Sequence, residues 1–145
     1  MLKRFKFAGL FFVLLSFIFV SCQKLPPEAY LIEKYKITGT IDIDPKIKDK
    51  CSGTLFVIAR KGASAQPLAV KKFKNASLPK EFSLSPADVL MPERINEFEG
   101  QIILMARISK SGSPMPQPGD CESPAILVDA GTKDVKLVIN SIKEK

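Results

Sequence analysis

Tyr35-Lys36-Ile37-Thr38-Gly39-Thr40-Ile41-Asp42-Ile43-Asp44 decides the fold. Its odd positions carry Tyr, Ile, Gly, Ile and Ile, and its even positions Lys, Thr, Thr, Asp and Asp. Side chains on a strand point alternately to two faces, so this alternation describes a strand with one buried and one wet face. Gly39 carries no side chain to pack and marks a bulge or a close backbone approach. Working outward, Thr54-Leu55-Phe56-Val57-Ile58-Ala59-Arg60 is a continuous apolar run of strand length, rich in β-formers, which reads as a central strand. Residues 68–73, 81–84, 102–109, 125–128 and 135–139 are further strand candidates. Between them stand turn signals at Lys61-Gly62, 75–79, Ser111-Gly112, Pro118-Gly119-Asp120 and Ala130-Gly131. Seven short strands so spaced predict an all-β chain, an antiparallel β-sandwich. Only residues 86–91 look briefly helical, with Pro92 as their stop. The chain holds no Trp, so the Cys–Trp–Cys core of antibody domains is absent.

Before this core lies a different kind of sequence. Lys3, Arg4 and Lys6 precede an apolar run from Phe7 to Val20, closed by Ser21 and Cys22. Basic start, apolar middle and small-residue end make the layout of an export signal. A small residue directly before a cysteine resembles the lipobox of bacterial lipoprotein signal peptides, with Phe19 where that family usually has Leu. The resemblance implies that Cys22 is lipidated and that the residues before it are removed. An uncleaved helical anchor is the alternative, although the run is shorter than the ~20 residues a spanning helix needs. Domains are therefore expected at 1–22 (signal and lipidated Cys22), 23–34 (a tether with Pro26-Pro27) and 35–145 (the sandwich). Gln23 after the cysteine, by the sorting habit of enteric lipoproteins, favours the outer membrane, with the domain facing the periplasm.

Charge narrows the partners. Without Lys3, Arg4 and Lys6 the formal charge falls from +7 to about +4, so the basic balance belongs partly to the signal. The remaining charges are interspersed. The densest run, Lys71-Lys72-Phe73-Lys74, reads as a strand edge guarded by lysines. Nucleic acid is not expected in this compartment, nor is a small-molecule substrate. The chain has no His, which removes the Ser–His triad, the imidazole base, the histidine metal ligand and the axial histidine of a haem. No enzyme activity and no cofactor is expected, and no metal, since Met91, Met105 and Met115 have no cluster spacing.

With Cys22 acylated, Cys51 and Cys121 remain as an even pair in an oxidising compartment. A structural disulfide is the first reading. A redox-active pair that exchanges with client thiols is the second, and it requires an accessible thiolate of low pKa. Two unpaired thiols are the third.

The order and spacing of several blocks carry a resemblance. They are Gly39-Thr40-Ile41-Asp42-Ile43-Asp44-Pro45, the run Leu55 to Arg60, Pro67-Leu68-Ala69-Val70, Leu78-Pro79, Phe82-Ser83-Leu84, Met91-Pro92, Ala106-Arg107-Ile108-Ser109-Lys110-Ser111-Gly112 and Gly119-Asp120. Together, over about 105 of the 145 residues, they resemble the C-terminal domain of the CcmI/CycH cytochrome c biogenesis proteins. The resemblance implies an Ig-like periplasmic sandwich and a part in handling apocytochrome c before haem attachment. The membrane segment and helical repeats that precede this domain in that family have no counterpart in the sequence. An envelope protein that reuses the sandwich for other partners is the competing reading, with thiol–disulfide exchange a third.

Within these blocks, Arg60 and Arg107 each end an apolar run and could grip a client's carboxylate through the guanidinium fork, or pair structurally. Residues 108–120, rich in Gly, Ser and Pro, form the candidate binding loop, which contributes Ser109, Lys110, Gly112, Met115 and Asp120. A client could also pair along an open strand edge, with 68–74 and 102–109 as the places to look.

Overall fold

The seven expected strands all form. A computed structural model describes residues 27–144, so Cys22 and the signal lie outside the described residues. The strands are β1 (Ile37–Ile43), β2 (Thr54–Arg60), β3 (Pro67–Phe73), β4 (Lys80–Leu84), β5 (Gln101–Ser109), β6 (Cys121–Glu122), β7 (Ile126–Asp129), β8 (Val135–Ile139) and β9 (Ser141–Ile142). The two-residue β6 and β9 are too short to leave a periodic signal. One sheet has the order β4-β1-β8, the other β3-β2-β5-β6-β9, with β7 also on β5.

The sheets face each other across the apolar positions that the alternation marked. Ile37, Ile41 and Ile43 of β1 meet Leu55 and Val57 of β2 and Leu104 and Ala106 of β5 in one core cluster, all nearly inaccessible. Burying such aliphatic side chains contributes about 1.5–3 kcal/mol each. β2 and β5 are buried on both faces, as expected of central strands.

One ladder departs from the antiparallel expectation. β1 and β8 are parallel, with Gly39 opposite Val135 and Ile43 opposite Ile139. The cause lies in the connection from β7, which crosses between the sheets at the end where β1 begins. There the Gly131 N–H donates to Tyr35 O (3.0 Å) and the Thr38 N–H to Thr132 O (3.1 Å). The chain thus enters β8 beside the start of β1 and runs with it. Alternation reports which face a side chain occupies and says nothing of a neighbour's direction.

Gly39 lies at that parallel seam as a close approach, not a bulge. A Cβ there would stand 2.1 Å from Val135 O and 2.8 Å from the Phe82 ring. Gly39→Ala is expected to destabilise the domain by about 3 kcal/mol, the upper end of overpacking costs. A urea unfolding midpoint measured against wild type checks it.

The tether and helix expectations need correction. Residues 27–35 form an α-helix, α1 (Pro27–Tyr35), where the sequence reading put a tether to 34 and a strand from 35. Pro27 suits a first helical position because its missing N–H would have no partner there. Glu28 in the first turn and Lys34 in the last match the helix dipole. Tyr35 packs against the core, which fastens the helix to the sandwich. Residues 86–88 are 3-10 helical, as the reading allowed. There Ser85 Oγ accepts the Ala87 N–H (3.2 Å) and Asp88 the Ser85 N–H (3.0 Å). Pro92, read as a stop, instead opens a second 3-10 segment, Pro92–Glu97.

Cys51 and Cys121 are joined in a disulfide, with Cα atoms 5.9 Å apart. It ties the approach to β2 to the start of β6, at the end of the sandwich remote from α1.

Candidate functional site

The outer face of the larger sheet is not the bare polar surface an alternating strand would present. β2 points Phe56, Ile58 and Arg60 outward, and β5 points Ile103, Met105 and Arg107 beside them. Ile58 lies between Val70 and Met105, Phe56 between Lys72 and Arg107, and Arg60 opposite Ile103. Phe56, Ile58 and Met105 form a second buried cluster against Val70, separate from the main core. Lys72 covers part of it, its Nζ 5.9 Å from the centroid of the Phe56 ring.

Beside this cluster opens a pocket of about 450 Å³. Ile58 and Met105 line it from the sheet, Pro114 and Met115 from the long loop, and Pro124 from the link between β6 and β7. Met115 is 45% exposed. Arg60 and Arg107 both line the pocket, yet their situations are opposite. Arg107 is committed. Its Nε donates to Glu122 Oε1 (3.0 Å) and stands 3.8 Å from Asp120 Oδ2. A second guanidinium N–H donates to the Pro114 carbonyl, and a third faces Met105 Sδ at 3.8 Å. Arg60, half-buried, has no ion pair among the described residues, and its Nε is buried without a hydrogen-bond partner. A buried donor left without a partner is costly, and an incoming carboxylate would satisfy it with a charge-assisted bond.

Of the seven candidate binding residues, then, three gather at one pocket: Arg60, Arg107 and Met115. The other four do not line it. Ser109 is fully buried, sharing a 2.9 Å hydrogen bond with the Ser111 hydroxyl. Asp120 is buried beside Arg107 and accepts the Gln117 N–H (2.8 Å). Gly112 takes φ +72° in a turn, a conformation that costs glycine little, and Lys110 points to solvent. The loop is therefore held down by Arg107, Asp120 and Gln117. Sequence reasoning missed the floor: Ile58 read as part of a central strand and Met105 only as a methionine without cluster spacing. The sign that could have found it is the unbroken apolar run Leu55 to Ala59, which leaves no polar face on β2.

Of the two strand edges considered, 102–109 is not one. β7 pairs with the first half of β5 and β6 with the second, because the loop between residues 109 and 121 returns the chain to the same side. β3 is an edge strand, but its first half is occupied. Ala69 bridges Val89, and the Leu90 N–H donates to Leu68 O (3.0 Å). Lys71, in the remaining half, pairs with Asp88 at 3.2 Å.

The arrangement offers an apolar floor, a free guanidinium and a flexible methionine on the rim. Chemically it would accept a carboxylate next to an apolar side chain. Among the described residues no group of three His, Cys, Asp or Glu side chains could hold a metal ion.

The sequence model of the cytochrome c-type biogenesis protein H Ig-like domain matches residues 37–140. An uncharacterized protein of Aquifex aeolicus is 35% identical over 146 residues, covering 92% of this chain and 95% of that protein. Cytochrome c-type biogenesis protein CycH of Pseudomonas aeruginosa is 41% identical over 81 residues, covering 53% of this chain and 20% of that protein. The aligned stretch thus amounts to a fifth of CycH. No solved structure matches the chain.

Proposed function

Because this chain belongs to the family of the cytochrome c-type biogenesis protein H Ig-like domain, we propose that it is a non-catalytic binding module for c-type cytochrome maturation. It is held at the cell envelope by a lipid on Cys22, with the sandwich in the periplasm. Its client is apocytochrome c or another maturation protein, engaged at the pocket between Arg60 and Met115. One observation carries the choice of site: the half-buried Arg60, whose Nε has no partner while its neighbour Arg107 is fully engaged. A client segment with an acidic residue or a terminal carboxylate beside an apolar side chain fits that pocket.

Calorimetric titration of the processed chain with apocytochrome c and with its haem-bound form tests the reading. Selective binding of the apo form is the expected result. Arg60→Ala should weaken it about tenfold to a hundredfold, the 1.5–3 kcal/mol of a charged hydrogen bond. Equal or absent binding of both forms would defeat the maturation role. The sandwich would then serve other envelope proteins. Selective binding that survives Arg60→Ala would move the site elsewhere on the domain.

A further inference from the structure

Eight large apolar side chains stand exposed among the described residues, and five of them fall in two short segments: Tyr30 and Leu31, then Leu90, Met91 and Ile95. The fold brings those segments together. α1 packs on the 3-10 turn Pro86–Asp88, which in turn contacts the 3-10 segment Pro92–Glu97. Leu31, Ile32 and Tyr35 on one side and Pro92, Ile95 and Phe98 on the other line a hollow of about 510 Å³. Small monomeric domains rarely leave apolar groups gathered in this way unless something covers them.

The position of this patch names the cover. Ile37 pairs with Leu84, so α1, which leads into β1, and the turn that follows β4 share one end of the sandwich. That end is also where the chain enters the domain. Pro27 is five residue steps from Cys22, a reach of at most about 18 Å. A lipid on Cys22 would therefore keep this end of the sandwich, with Tyr30, Leu31, Leu90, Met91 and Ile95, within that reach of the membrane. The charge around them selects the kind of surface. Glu28, Glu93 and Glu99 are exposed beside the hollow. Arg94 is taken by Glu97 through two bonds of 3.1 and 2.7 Å, and Lys36 by Glu33 at 2.7 Å. Lys34 stands exposed on α1 with its Nζ 5.0 Å from the Tyr35 ring centroid, and Lys61 reaches the Glu99 carbonyl, so carboxylates outnumber cations on this rim only slightly. Such a rim has no cationic patch to seek anionic lipid, and apolar contact has to do the holding.

We propose that this end of the domain docks on the bilayer, inserting the apolar side chains of α1 and residues 90–95 among neutral phospholipid headgroups. The proposal rests on the lipid-anchor reading given above. Docking fixes more than distance: it directs the disulfide end of the sandwich away from the membrane and leaves the Arg60 pocket on the side.

A chain without Trp makes the test direct. Single reporters Tyr30→Trp, Leu90→Trp and Ile95→Trp are introduced in the full chain, with Val138→Trp, exposed toward the far end of the smaller sheet, as the comparison. Each processed protein is reconstituted into phosphatidylcholine vesicles with plain or brominated acyl chains, and its attachment is scored by flotation. The three patch reporters are expected to shift to the blue and lose more than half their emission to the brominated lipid. The Val138→Trp protein should change little. Anionic phosphatidylglycerol should reduce the quenching, and an increase would overturn the neutral-surface assignment. Proteins that float while patch and comparison reporters behave alike would overturn docking and leave the anchor standing. Reporters shielded from aqueous iodide yet untouched by brominated lipid would also overturn it, by showing a second copy or another protein on the patch. Failure to float would overturn the anchor and the docking together.

Discussion

Replacing Arg107 with alanine is expected to remove about 3–5 kcal/mol of stability, the cost of breaking a buried ion pair from one side. The Arg107 side chain is 7% exposed and that of Asp120 2%. Without the guanidinium, Asp120 and Glu122 would face each other across the same site with no cation between them, and the Pro114 carbonyl would lose its donor. Asp120 keeps only the Gln117 N–H, which cannot offset a buried charge. Arg107→Lys should recover little, because an ammonium lacks the fork that reaches Glu122 and Pro114 at once. Arg60→Ala is the informative contrast, since that side chain has no ion pair among the described residues and its loss should leave stability almost unchanged. Urea unfolding of the three variants reads all of this. Equal midpoints for Arg107→Ala and Arg60→Ala would refute the assignment of one arginine to structure and the other to binding.

The second large effect belongs to the disulfide. Cys51 and Cys121 are 70 residues apart, and closing a loop of that length removes unfolded-state entropy worth about 4 kcal/mol. A Cys51→Ala/Cys121→Ala double variant should lose stability on that scale, as should the wild type after reduction. The bond also bears on the redox reading. Cys121 is 1% exposed, pinned between Ile108 and Ile142, whereas exchange requires a thiolate that a client can reach. Slow reduction by dithiothreitol under native conditions is expected. Fast reduction, together with loss of client handling in a variant that stays folded, would reinstate thiol exchange.

The sandwich was legible because burial imposes alternation. Ile37, Ile41 and Ile43 could not face solvent, and the Thr and Asp residues between them could not face the core, so strand and facing followed together. Contacts made between segments were not legible. The parallel seam of β1 and β8 depends on where the β7 connection crosses. The pairing of β5 with both β6 and β7 depends on how the long loop folds back, and Arg107 holds that loop in place. At the candidate site, Arg60, Arg107 and Met115 were found by residue type. Only their surroundings separated the free arginine from the engaged one. Helix α1 was missed because Pro26-Pro27 signals a linker as well as a helix start, and Tyr35 fits the alternation of the strand that follows.

The parallel seam has a consequence for the order in which such a chain can fold. A polypeptide made amino end first delivers β1 early and β8 almost last. Until residues 135–139 emerge, β1 keeps one row of backbone groups unpaired, and the floor beneath Ile41 and Ile43 is incomplete. Pairings this distant in sequence are slow to form and leave sticky edges exposed meanwhile. The domain therefore cannot close piecemeal while the chain is being made. Its assembly waits for the final stretch of the chain, and during that interval β1, the first strand to appear, is the one in need of protection.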